Sequence, residues 1–379
     1  MSPDLRARVE GLDDALLAGL LGQSFLTTAA ASDDQLATLL ALAETFAALD
    51  RAGQRVPLCP QELAYAVFFD NSTRTKSAWA GAAARLGMSP VIVDGSSTQV
   101  AHGETAEETG AMLGMNAHAL GIRHDLILGE GNAFMGDVRK GISDYLAATG
   151  QARTVPIVNL QCDVDHPTQS LADLLYLRER FPDGLAGKKI TVSWAYSPSY
   201  AKPLSVPQGL ISLLSRMGAH LTLAHPEGYQ LLPQPMQQAR DFSAASGGSF
   251  RVVHDMDDAF AGADVVYPKS WGPHALMLER VDANRAGDKA AMADIERRCL
   301  DRNALHRDWI CDERRMGLTA DALYMHCLPA DIGDEVSASV LERFRTSLAR
   351  EANWKVYVIM ALLAGAKVPA LRARLLEDL

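Results

Sequence analysis

Disulfide chemistry is excluded first. The 379 residues include five cysteines (Cys59, Cys162, Cys299, Cys311 and Cys327), an odd number with no pair spaced C-x-x-C. Neither a disulfide framework nor a zinc ribbon fits that pattern. The chain also lacks a run of about 20 apolar residues that could span a bilayer. Its start, Met1-Ser2-Pro3-Asp4-Leu5-Arg6, has no charged-then-apolar signal pattern. The resulting expectation is a cytoplasmic enzyme with no membrane partner. Long basic runs are missing too, and the formal net charge is −10, so nucleic acid is a poor partner. No repeat at a solenoid period and no low-complexity tract occurs. No G-x-G-x-x-G follows the strand-like run Ile190–Trp194, which disfavours a dinucleotide cofactor.

What is present points to two globular halves. The length is too great for one small core, and 48% of residues are hydrophobic. Leucines with helical spacing mark two N-terminal helices, around Leu16–Leu21 and Leu36–Phe46, with Ser32 or Asp33 suited to cap the second. From Leu63 onward, strands and helices alternate. Leu63–Phe69 reads as a strand, a helix follows from Thr73, and Pro90–Asp94 is a strand. Glu104–Met115 is a helix, Ala119–Arg123 a strand, Phe134–Ala147 a helix and Val155–Leu160 a strand. A second series runs through helix Ser170–Phe181, strand Ile190–Trp194, helix Leu204–Met217 and strand His220–Ala224. It continues with helix Met236–Ala245, strand Phe250–His254, a short helix Asp257–Phe260, and strands Asp264–Tyr267 and Ala320–His326, before a long apolar helix over Ala352–Ala364. This rhythm predicts an α/β protein with two doubly wound parallel-sheet domains. Ligands are then expected at the carboxyl ends of strands, between the halves.

The stretch Phe69-Asp70-Asn71-Ser72-Thr73-Arg74-Thr75-Lys76 has the strongest chemical content. Strand, polar turn and helix start bring together hydroxyls, two cations and free first-turn amides. That set makes an anion site, with phosphate the obvious guest. An ordinary capped helix with surface charges is the other reading, Ser72 and Thr73 being suited to the N-cap. Four more polar motifs follow: Gln99-Val100-Ala101-His102-Gly103-Glu104, Arg123 at a strand end, His166-Pro167-Thr168-Gln169, and His326-Cys327-Leu328-Pro329. A metal held by Asp163, Asp165 and His166 is disfavoured, because loop neighbours rarely all face one ion. A Cys/His nucleophile pair at 326–327 is disfavoured because adjacent strand residues point apart. Three prolines stiffen the loop within Ser193–Pro207.

Taken in order, Ser-Thr-Arg-Thr, Arg123, His-Pro-Thr-Gln and His-Cys-Leu-Pro resemble the aspartate/ornithine carbamoyltransferase superfamily. The Pro-rich loop is similar to that of its knotted branch, and the wording as a whole is most similar to the YgeW-like members. The resemblance implies a transferase moving a carbamoyl group from carbamoyl phosphate to an amino-acid-like amine, with no metal, no cofactor and no covalent intermediate. It implies that residues 1–152 with 350–379 bind carbamoyl phosphate and that 153–349 bind the amine, with a trefoil knot in the second half. Ser72, Thr73, Arg74 and Thr75 would hold phosphate. Arg123, His166 and the Thr75 hydroxyl would face the carbonyl oxygen, while Gln169 and the Leu328 carbonyl would hold the carbamoyl –NH₂. Lys269 and Cys327 would contact the amine substrate. The loop with Gln99 and His102 would reach a neighbouring subunit in a homotrimer. Departures remain. Lys76 replaces a family arginine. An exposed Lys269 is expected to favour an acidic or acylated substrate over ornithine. The family's late arginine is missing, with Lys355 a guessed substitute. That loss motivates an alternative, a non-catalytic carbamoyl phosphate-binding sensor or assembly partner.

Overall fold

The computed structural model describes residues 3–199 and 202–377, so Tyr200, an aromatic of the Pro-rich loop, and Ala201 lie outside the described residues. The first half contains α1 (Pro3–Glu10), α2 (Asp14–Ala18), α3 (Asp33–Arg51), β1 (Leu63–Phe68), α4 (Arg74–Arg85), β2 (Ser89–Asp94), α5 (Ala106–Gly114), β3 (Ala119–His124), α6 (Glu130–Ala148) and β4 (Ile157–Cys162). The second contains α7 (Pro167–Arg180), β5 (Lys189–Trp194), α8 (Ser205–Leu214), β6 (His220–Ala224), α9 (Pro233–Ser246), β7 (Ser249–Val253), α10 (Met256–Phe260) and β8 (Val265–Lys269). It continues through α11 (His274–Arg285), α12 (Lys289–Asn303), α13 (Glu313–Met316), β9 (Leu323–Tyr324), α14 (Ala338–Lys367) and α15 (Leu371–Glu377).

Both sheets are parallel, with strand orders β2-β1-β3-β4 and β7-β6-β5-β8-β9. Each order reverses once, between β1 and β3 and between β5 and β8. At such a reversal the loops leave the sheet in opposite directions and open a crevice at the strands' carboxyl ends. The inner strands are apolar because helices cover both faces, β4 being buried at all six positions, whereas the edge strands β2 and β7 stay partly exposed.

Local chemistry explains the helix boundaries. Ser32 starts α3 with a reciprocal capping box to Gln35, and Thr105 does the same for α5 with Glu108. The helix expected from Ser170 begins at Pro167, a residue suited to the first turn because its missing N–H is not needed there. The long apolar helix starts earlier than its apolar run, at Ala338. Its C-terminal part is buried and packs along α3, α4 and α7. Among the described residues no single helix is long and apolar enough to cross a membrane. Helices α5 and α6 cross backbone to backbone. A Cβ on Gly110 would lie 2.2 Å from the Val138 carbonyl oxygen, and one on Gly141 2.0 Å from that of Glu107. Only glycine permits that approach.

Candidate active site

The first-half crevice is built by β1 and β3. After Phe68 the chain turns through Asp70–Thr73, and α4 begins at Arg74 with Thr73 at its N-cap. Neither hydroxyl caps it in the expected way: Thr73 sits in the right-handed helical region and makes no side-chain cap bond. The first-turn amides are therefore left available at the positive end of the helix. Lys76 does not join them. Its Nζ sits 5.2 Å from the centre of the Phe68 ring, and it is not among the residues lining the cavity. Arg123 follows a bulge between Ile122 and Arg123, where the pairing with β4 slips by one residue. Such a bulge re-aims a strand-end side chain. Asp125 then holds the guanidinium at 3.0 Å, with Asp70 at 3.8 Å.

These groups meet the second half around a cavity of about 510 Å³. Ser72, Thr73, Arg74, Thr75, Arg123 and His166 line one side. Lys202, Lys269, Cys327 and Leu328 line the other, with Lys355 beside Thr75; sequence reasoning did not single out Lys202 or the lining residue Gln161 as site residues. Arg74 donates to the Leu328 carbonyl, tying α4 to the loop after β9. Leu328 itself holds a positive φ of 54°, a conformation that a branched side chain adopts only under constraint. Lys355 Nζ donates to Thr75 Oγ1 at 3.3 Å. The guessed substitute for the late arginine therefore stands in the cavity wall.

Three expected residues lie elsewhere. Gln169 is buried beneath the cavity wall, its amide donating to Asp173 Oδ1 at 2.6 Å. Gln99 and His102 sit exposed on a short 3₁₀ turn and do not line the cavity. The acids beside His166 have structural work. Asp163 accepts from the amides of Gly129 and Asn132 at the start of α6, and Asp165 accepts from the Thr28 amide and hydroxyl. Among the described residues no group of His, Cys, Asp and Glu is arranged to hold a metal ion.

Lys269 requires a correction. It is buried rather than exposed, 8% accessible, and its ammonium lies 3.5 Å from the Glu335 carboxylate. Lys202 also reaches Glu335, at 3.3 Å, and Asp331 at 2.6 Å. Glu335 accepts from the amides of Ser270 and Asp331 as well. Burial opposes its charge, but Lys269, His326 and Lys202 outweigh that and hold its carboxyl well below the usual range. The expectation failed because a residue 66 positions downstream neutralises Lys269, and no periodicity reports such a pairing.

Electrostatics assign protonation states. Burial lowers the His166 pKa, and Lys355, Arg123 and Arg74 push it further, so the ring is a neutral hydrogen-bonding group near pH 7. Burial also raises the Cys327 thiol above its ordinary value, so little thiolate forms. Lys355 is lowered to about 8 by burial, with Arg74 and Arg123 adding to the effect. Five lysines and arginines line the cavity, Arg74, Arg123, Lys202, Lys269 and Lys355, of which Lys202 and Lys269 are paired with Glu335. Asp70, the only carboxylate lining the cavity among the described residues, is near Arg123.

The family model for the aspartate/ornithine carbamoyltransferase carbamoyl-P binding domain matches residues 23–179, and that for the Asp/Orn binding domain matches residues 203–365. The YgeW protein of Escherichia coli (strain K12) is 45% identical over 378 residues, 96% of each chain. N-acetylornithine carbamoyltransferase of Xanthomonas campestris pv. campestris is 32% identical over 326 residues, covering 80% of this chain and 87% of the relative. Among solved structures, a mutant N-acetyl-L-ornithine transcarbamylase complexed with carbamyl phosphate and N-succinyl-L-norvaline superposes with a TM-score of 0.75. It is 28% identical and is matched over 90% of this chain and 99% of that one.

Proposed function

The chain belongs to the aspartate/ornithine carbamoyltransferase family and is a carbamoyltransferase, and from that premise we propose that it carbamoylates an amino-acid-like amine other than plain ornithine or aspartate. One observation carries the reading. An uncapped helix start, Arg74, Arg123, Lys355 and a neutral His166 converge on one cavity whose far wall is Lys202, Lys269 and Cys327.

In this reading the phosphate of carbamoyl phosphate sits at the start of α4 against Ser72–Thr75. The amine nitrogen attacks the carbamoyl carbon, a C–N bond forms, the C–O bond to phosphate breaks, and the amine's proton leaves on phosphate. Charge grows on the carbonyl oxygen and on the leaving group, so fixed donors aimed at both lower the barrier. Arg123, His166 and Thr75 serve the carbonyl oxygen; Arg74 and Lys355 serve the phosphate. Gln169 would reach the carbamoyl –NH₂ from below, and the Leu328 carbonyl would exchange its Arg74 contact for that group. Cys327 contacts the second substrate as a thiol. Alignment of two bound reactants supplies the remainder.

The substrate class follows from charge. Among the described residues no unpaired carboxylate lines the cavity to hold the second ammonium of free ornithine. An amine whose other amino group is acylated suits a wall whose two cations, Lys202 and Lys269, are already paired with Glu335. The likeness to N-acetylornithine enzymes supports the same choice. The non-catalytic alternative loses its motive with Lys355 in the wall.

We also propose that residues 1–152 with 350–379 form the carbamoyl phosphate half and 153–349 the amine half, α14 returning to pack on α3, α4 and α7. The contacts of the loop after β5 with Asn303, Trp309 and Asp331 support a knotted crossing there. Exposed Gln99 and His102 suit a composite site in a cytoplasmic homotrimer. The test is phosphate release and ureido product from carbamoyl phosphate with free and N-acylated amino acids and diamines. No turnover above background with any amine would overturn the reading.

A further inference from the structure

A second acidic cluster lies behind the cavity wall. Asp173 on α7 and Glu351 on α14 are 0% and 1% accessible, and their carboxyls face each other. Gln169 donates to Asp173 Oδ1 at 2.6 Å, and the His326 amide to Glu351 Oε2 at 3.4 Å. The remaining oxygens, Asp173 Oδ2 and Glu351 Oε1, find no hydrogen-bond donor elsewhere, and the Tyr267 hydroxyl lies beside Asp173. Two ionised carboxylates in contact away from water repel strongly, whereas one proton between them makes a short charge-assisted bond. Burial acts in the same direction, raising Asp173 to about 6 and Glu351 well above the carboxylate range.

Lys355 follows Glu351 by one helical turn and is 2% accessible. Arg74 from α4, Arg123 from β3 and His166 from the start of α7 face it on the cavity side, with the Cys327 thiol. Those two arginines repel its charge, and the acid that attracts it is Asp173. A lysine in this position, unlike an arginine, can lose its proton.

We propose that Asp173 and Glu351 share one proton, carried on Glu351, and that the single charge left on Asp173 holds Lys355 as an ammonium facing the transferred group. Asp173 and Glu351 are positioning residues that act through Lys355. Only the role of Lys355 toward phosphate rests on the carbamoyl phosphate reading.

The Lys355 ammonium can be titrated by NMR in ¹⁵N-lysine-labelled protein, its signal assigned by loss in Lys355→Arg. Glu351→Gln substitutes a neutral group of the same shape for a protonated acid, so the midpoint should move by less than about 0.3 pH unit. Asp173→Asn/Glu351→Gln removes the pair's last charge and should lower the midpoint by about one unit or more, the scale of a close opposite charge. A shift in Glu351→Gln as large as in the double variant overturns the shared proton. An unmoved midpoint in the double variant overturns the coupling to Lys355. If the double variant does not fold, infrared spectroscopy of the folded wild type and Glu351→Gln decides. The protonated carboxyl C=O band at pH 7 should vanish in Glu351→Gln, and its absence from wild type refutes the proposal. Calorimetry with inorganic phosphate separately tests the carbamoyl phosphate reading, whose failure would leave these titrations unchanged.

Discussion

Arg74→Ala should lower kcat/KM for carbamoyl transfer by about 10²–10³-fold. Arg74 is the first residue of α4, lines the cavity and is the direct tie between that helix and the Leu328 carbonyl. Removing one preorganised donor from a site of growing negative charge costs about 2.7–4 kcal/mol, and each ~1.4 kcal/mol is tenfold in rate. Arg123 and Lys355 remain in the wall, which is why the expected loss is not larger. A smaller share, about 1 kcal/mol, comes from the Leu328 carbonyl losing its donor. Arg74→Lys separates the two effects, because it keeps the charge but not the planar fork. It should recover part of the rate. The assay is initial-rate phosphate release at saturating amine, once an active amine is found, with circular dichroism confirming the fold. A drop below about threefold would remove Arg74 from the transition state and refute the reasoning.

Further outcomes follow from the same geometry. Cys327→Ser should keep kcat within about tenfold, because a partly buried thiol raised above its ordinary value is no nucleophile, and a loss on the scale of a missing nucleophile in stopped-time assays would reverse that role. Affinity for inorganic phosphate should fall as pH rises through about 8, because Lys355 is protonated and attractive below that value and neutral above it. Lys355→Arg should flatten that limb in calorimetry, and an unchanged limb would assign it to another group. Gly141→Ala should destabilise the fold by roughly 1–3 kcal/mol, since its Cβ would press on the Glu107 carbonyl. An unchanged denaturation midpoint would show that α5 and α6 can part without cost.

The sequence revealed most where chemistry is local. Apolar runs of strand length between glycine and proline signals located all nine strands found among the described residues, with ends off by a few positions. The polar helix α12 was missed, since only Ile295, Cys299 and Asn303 of it are buried and its apolar stripe is correspondingly thin. Helix α11 was missed as well. The site motifs were legible because each is a short polar peptide beside a strand or helix end. Lys202 had a fainter signal, as a lone cation in a proline-rich loop after β5.

By itself, then, the sequence determined the α/β alternation and the polar strand-turn-helix at Ser72–Thr75, because hydrogen-bonding periods and that motif act over a few residues, while the reaction type came from the family resemblance of its ordered motifs. Only the tertiary structure decided which charges are free. Lys76 turns to Phe68, Lys269 pairs with Glu335, and Lys355 reaches Thr75 across 280 positions of chain. Those outcomes depend on which side chains lose water together when the two sheets and α14 close on one another. Burial makes each pairing far stronger than it would be in solvent, and the linear pattern carries no trace of it.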